Sequence, residues 1–183
     1  MSGLPLTPAF PQVSIDGVAS THLRTALSGM VVHVLAGRAT AHLEVVGTPV
    51  NEFVPGLELG NTVLAVHVSG EQLFTGELTE LETRTSPSGT PPLLVLRAEG
   101  IAPFEETGVV ELRIGADLES GSVQHRADGW TARGLTHRLG LRSGSKVILA
   151  TADPHFDGPF EVVELWHRWD VTAGLRTDFL AHA

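Results

Sequence analysis

Along most of this chain, hydrophobic residues recur at every second position or in short β-branched runs, and Gly, Pro, Asn and Ser close the runs. Such alternation places apolar side chains on one face of an extended chain, so it predicts strands joined by turns rather than helices. The clear strand segments are Val31–Leu35, Ala41–Val46, Thr62–Val68, Leu93–Ala98, Lys146–Ala150 and Phe160–Leu165. Their spacing suits a barrel or a sandwich. One helical turn is compatible with the sequence, from Ser20 as a cap over Thr21–Leu27 with Leu23 and Leu27 on one face, although an extended segment fits these residues equally well. Two Pro- and Gly-bearing stretches interrupt the pattern, Thr85–Pro92 and Glu99–Gly108, and the second reads as a boundary between halves.

The halves resemble each other. Leu57–Leu64 leads to Phe74–Leu81, Arg84, a loop and Leu93–Leu96, while Leu141–Ile148 leads to Phe156–Phe160, then Glu164–Leu165, Arg168, a turn and Leu175. Gly60 and Gly144 are separated by 84 positions (144 − 60), and Gly76 and Gly158 by 82 (158 − 76), a drift that one shortened hairpin explains. Each copy reads as a turn glycine, an apolar strand, a hairpin and a strand reached through Phe-x-Gly. There the Phe fills a barrel end and the Gly permits the bend that lets a sheet curl. The expected fold is therefore all-β with little helix: two small tandem β-barrels of similar topology, over residues 1–100 and 101–183.

Composition narrows the function more than the fold. The 183 residues include no cysteine, which removes disulfides, thiolate metal sites and cysteine nucleophiles. The formal net charge of −9 opposes binding to phosphate backbones, so nucleic acid is not an expected partner. No apolar run has the length of a membrane-spanning helix, and Met1–Pro5 lacks the basic start of a signal peptide, so the expectation is a protein made in the cytoplasm without a membrane span. A mean hydropathy of +0.14 leaves little polar residue for the outside of so small a protein, which implies that partners cover part of its surface.

Nine histidines invite a metal reading, but none sits in a His-Glu-x-x-His arrangement, and His33, His42 and His67 fall on separate strands. Asp153-Pro154-His155-Phe156-Asp157 places two carboxylates beside an imidazole, yet Asp and Pro in those positions also make a polar hairpin turn. In Trp166-His167-Arg168-Trp169-Asp170, a strand would put Trp166 and Arg168 on one face and His167 and Trp169 on the other, a packing pattern rather than a ligand patch. Ser143-Gly144-Ser145-Lys146 precedes a strand and so cradles no phosphate at a helix N-terminus. Ser14 and Ser69 have no nucleophile elbow around them. No catalytic, cofactor-binding or metal residue is assigned, no cofactor is expected, and the chain is not expected to be an enzyme.

Several ordered motifs carry a family resemblance. Pro11–Gly17, the spaced Leu23 and Leu27, Gly60–Val63, Leu73–Thr79 and Val95–Gly100 resemble the first barrel of the phage late control protein D family. Ser122–Ala132, Phe156–Val162, Trp166–Asp170 and Gly174–Phe179 are similar to that family's later strands and C-terminal hub signature. The family supplies baseplate hubs to contractile phage tails and related injection systems, and shares its barrel with the type VI secretion spike protein. The resemblance implies a structural hub subunit assembled in the bacterial cytoplasm and carried in a phage or phage-like particle. Its implied partners are two further copies of itself in a homotrimer, the tail tube and spike proteins of the same particle, and other baseplate proteins. It implies a symmetry adaptor, since such tubes are built of six-membered rings and such spikes are threefold. One departure is plain: the mixed α/β insertion usual between the two barrels is replaced by the short segment around Glu99–Gly108. The alternatives are a carbohydrate- or protein-binding β-sandwich and, third, a cupin-like or metal-hydrolase enzyme.

Overall fold

The computed structural model describes residues 10–47, 57–85, 90–102, 109–113, 115–127, 129–150 and 158–183. The chain runs β1 (Pro11–Ile15), β2 (Val18–Ala19), α1 (Thr21–Ala26), β3 (Leu27–Leu35), β4 (Arg38–Val46), β5 (Val63–Val68), β6 (Glu71–Arg84), β7 (Leu93–Ile101), β8 (Val110–Arg113), β9 (Leu118–Arg126), β10 (Gly129–Thr136), β11 (Lys146–Ala150), β12 (Pro159–Asp170) and β13 (Gly174–His182). All six segments predicted from alternation fall on strands, except that Thr62 lies just before β5, which begins at Val63. Ser20 caps a helix, its hydroxyl accepting from the Leu23 amide at 3.2 Å, and Leu23 is buried beneath it.

Alternation decides which face is inside. Met30, Val32 and Val34 of β3 and Ala39, Ala41, Leu43 and Val45 of β4 are buried, as are Leu94, Leu96 and Ala98 of β7, whereas His33, His42 and Glu44 point to the other face and stay partly exposed. β1, α1 and β5 add Val13, Leu23, and Leu64 with Val66, respectively, to one hydrophobic core. The result is a nearly all-β, largely antiparallel sheet curled into a half-barrel.

The strand order repeats. The first half is ordered β1-β5-β6-β7-β4-β3, and the second β8-β11-β12-β13-β10-β9, which is the same succession of first, fourth, fifth, sixth, third and second long strands. One ladder differs: β1 runs antiparallel to β5, while β8 runs parallel to β11. Irregularities repeat as well. β6 bulges between Leu78 and Glu80 and β12 between Val162 and Glu164, while β3 bulges between Leu27 and Gly29 just as β9 does between Leu118 and Ser120. A shared corner precedes β5 and β11. Gly60 at φ +77° donates its N–H to the Leu78 carbonyl at 2.8 Å, and Gly144 at φ +87° donates to the Val162 carbonyl at 2.8 Å. Beside them the Glu58 amide donates to Thr62 Oγ1 and the Arg142 amide to Ser145 Oγ, both at 2.9 Å.

One expected correspondence is corrected. Leu64 pairs with Gly76, and its counterpart Val147 pairs with Phe160, so Gly76 matches Phe160 and not Gly158. Phe156 lies outside the described residues. The two halves therefore exchange an aromatic and a gap: the Phe74 ring covers Gly76, where an added Cβ would sit 2.6 Å from Cζ, whereas Phe160 faces the space beside Gly158. Both rings are buried, so the core is filled from different positions on two matching strands, β6 and β12.

The halves do not stand apart. Glu164–Asp170 of β12 pairs antiparallel with Gly29–Leu35 of β3, which joins everything into one 13-stranded sheet.

Candidate functional site

Among the described residues, no group of three or more His, Cys, Asp and Glu side chains is placed to hold a metal ion. The histidines are spread over the sheet. His33 shares a 2.7 Å hydrogen bond with Glu164 and stacks on Trp166 with ring centroids 5.1 Å apart, His42 lies 3.5 Å from Glu44, and His125 stacks on Trp130 at 4.3 Å. His137 bridges the Leu175 carbonyl at 2.9 Å and the Glu119 carboxylate at 2.7 Å, and the carboxylate raises its pKa. His167 is buried against the Thr177 hydroxyl at 2.9 Å, and loss of water pushes its pKa down to about 4. Asp153, His155 and Asp157 lie outside the described residues.

The alternation read from Trp166–Asp170 is as expected. His167 and Trp169 are buried, and Trp166 and Arg168 emerge on the polar face. There they line a groove of about 440 Å³ with Ser122, Arg133, Glu164 and Asp178. Within it Arg168 lies 3.1 Å from Asp178, and Glu164 shares its hydrogen bond with His33. The matching face of the first half carries Arg97 at 2.8 Å from Glu80 and Arg84 at 2.9 Å from Glu82. Cations neutralised by neighbouring carboxylates make a hydrated, polar wall.

What stands out chemically is unpaired backbone. β9 ends the sheet order, and its outer edge has no partner strand among the described residues. Residues Glu119–Ser122 and Gln124–Arg126 are exposed and only Leu118 is buried. On the side of β6 away from β7, Glu71–Glu77 is taken by β5, but beyond the bulge Glu80–Arg84 has no partner strand there among the described residues. The matching stretch of β12 is the one that β3 occupies. Sequence alternation did not single out β9, because Glu119-Ser120-Gly121-Ser122 is polar on both faces; its signal was the Ser122–Ala132 stretch with its Gly129-Trp130 dipeptide.

The fold has well-characterised counterparts. No family model and no curated protein matches the sequence. Solved structures do match in shape. A tail protein of Neisseria meningitidis superposes with a TM-score of 0.69 at 8% identity, covering 94% of this chain and 96% of its own. The 43 kDa tail protein of prophage MuSo2 from Shewanella oneidensis gives a TM-score of 0.68 at 7% identity, covering 94% and 97%. A component of the Escherichia coli type VI secretion system, described as structurally similar to the T4 bacteriophage tail proteins gp27 and gp5, gives 0.70 at 8% identity, covering 93% and 76%. The chain thus has the fold of phage-tail and type VI secretion proteins.

Proposed function

We propose that this protein is a structural subunit of a contractile phage tail or phage-like injection system, and within it a baseplate hub. The observation that carries the reading is the twofold strand order within one chain, joined to a fold shared with tail proteins. The two halves serve as the two hub barrels. Three copies present six near-equivalent units to a tube of six-membered rings while remaining threefold toward a spike, so the duplication itself performs the symmetry matching. In this role the chain binds the tube protein, the spike protein and other baseplate proteins, and performs no catalytic step. It is assembled in the bacterial cytoplasm and then carried in the particle.

Cyclic closure buries one surface of each subunit against a different surface of the next, consistent with a positive mean hydropathy. Light scattering at high protein concentration, and two-dimensional class averages of the assembly, provide the test. A threefold ring with six lobes is expected, alone or with its tube or spike partner. A strict monomer under both conditions, or a monomer that binds glycans through the Trp166 groove, replaces the hub with a binding module.

A further inference from the structure

We propose that the outer edge of β9 pairs antiparallel with the outer half of β6 from a second copy of this chain, in a register dictated by the β12–β3 ladder within one chain. The proposal rests on the hub reading for the number of copies, but not for the pairing itself.

The chain already contains this contact once. β12 is the counterpart of β6, aligned by the repeated corner and bulge, and β3 is the counterpart of β9, aligned by their hairpins. Those hairpins close on the pairs Leu35–Arg38 and Arg126–Gly129 and carry the same bulge. Inside the chain, the edges of β12 and β3 satisfy one another. Among the described residues the corresponding edges of β6 and β9 have no partner, one in each half, and a second copy supplies the missing partner to each. Carrying the register across places Glu80 opposite Arg126, Glu82 opposite Gln124 and Thr83 opposite Val123 of the neighbouring copy.

Three features fit a copy of the chain as the occupant. First, β9 spans nine residues without proline, the sort of edge that is left open when it is meant to be covered. The other edges are short, two residues in β2 and four in β8. Second, the register brings no like charges together on the polar face: Glu80, already paired with Arg97, lies opposite Arg126, and Glu82, already paired with Arg84, lies opposite Gln124. Third, Leu81 and Val123 sit on the apolar side, packed against the core but only partly covered within one chain.

The absence of cysteine makes the test clean. Two variants carry engineered pairs, Thr83→Cys with Val123→Cys and Glu82→Cys with Gln124→Cys. Adjacent antiparallel pairs alternate in spacing, so one of the two has the close Cβ approach a disulfide requires. A control carries Thr83→Cys with Gln124→Cys, whose side chains lie on opposite faces of the joined sheet. Each full-length variant is oxidised at high concentration and run on a non-reducing gel. The expected result is covalent oligomers ending at a closed trimer from at least one in-register variant, with the control monomeric. The proposal is overturned if neither in-register pair bridges, or if the control bridges as readily. A threefold particle in solution without bridging would leave the hub reading standing and remove this interface. Bridging that ends at another ring size, or in open chains, would keep the interface and remove the threefold reading.

Discussion

His167 shows how one buried side chain sets a pH dependence. The folded protein holds the imidazole neutral against Thr177, with a pKa of about 4 against an ordinary 6.5, because burial removes the water that would solvate the cation. Above pH 6.5 both folded and unfolded chains are neutral at this residue, and stability is unaffected. As pH falls from 6.5 toward 4 the unfolded chain takes up the proton and the folded chain does not, so stability falls by about 1.4 kcal/mol per pH unit. His137 acts with the opposite sign: Glu119 raises its pKa, so its contribution is present below 6.5 and lost as pH rises through the raised value. Urea unfolding followed between pH 4 and 7 should show the acid loss in the native protein and a flatter profile in His167→Gln; an equally steep profile in the variant would reject the assignment. A second residue-scale prediction concerns the cross-strand pair Gly76–Gly100. A Cβ on Gly76 would meet the Glu99 carbonyl as well as the Phe74 ring, and one on Gly100 would meet the Thr75 carbonyl. Backbone cannot swing aside as a side chain can, so Gly76→Ala should cost about 1–3 kcal/mol of unfolding free energy, measured by denaturant titration.

At the scale of elements, the repeated corner is the most informative feature. Gly60 and Gly144 both occupy the left-handed region, where a glycine is unstrained, and this conformation turns their amides toward the strand ahead. Thr62 and Ser145 complete the corner by accepting a backbone amide, and both are buried. Removing the Ser145 hydroxyl leaves the buried Arg142 N–H without its acceptor, so Ser145→Ala should lower stability by about 1–3 kcal/mol, and Thr62→Val, whose donor Glu58 is exposed to water, by less, each read as a reduced urea midpoint at constant slope. A loss confined to one half would mean that the corners are not equivalent. The turn glycine of the lead-in was legible because turn chemistry depends on local residues, but the valines that follow it are not equivalent: Val63 answers to Lys146, and Val147 to Leu64. The Phe-x-Gly correspondence misled for the complementary reason. Position along a strand is set by the partner across the ladder, and an aromatic can fill the same cavity from either of two sites on one face.

For the whole molecule, the joining ladder between β12 and β3 matters most. It runs through seven residue pairs from Glu164–Leu35 to Asp170–Gly29, and Arg142, nearly buried in the second half, reaches Glu71 of the first at 3.2 Å. Backbone pairing and a shared core couple the halves, so thermal unfolding should be a single transition whose calorimetric and van't Hoff enthalpies agree. Two resolved transitions would show that the halves are thermodynamically separate. The same continuity explains why, among the described residues, each half keeps one strand edge without a partner: the internal contact satisfies one matching pair and leaves the other pair open.

Alternation, turn residues and the repeated lead-in determined by themselves that this chain is all-β, where most of its strands lie and that it contains one unit twice, because each of these follows from local stereochemistry and from which side chains avoid water. They also determined that Trp166 and Arg168 share a face opposite His167 and Trp169. Tertiary structure alone decided that the halves merge into one sheet, that Gly76 answers to Phe160, that Ser20 begins a helix and not an extended segment, and that β9 and the outer half of β6 have no partner strand among the described residues. Those outcomes depend on which backbone edges meet and in what register. Backbone hydrogen-bonding groups are the same at nearly every residue, so a sequence records them only through the side chains that pairing brings together.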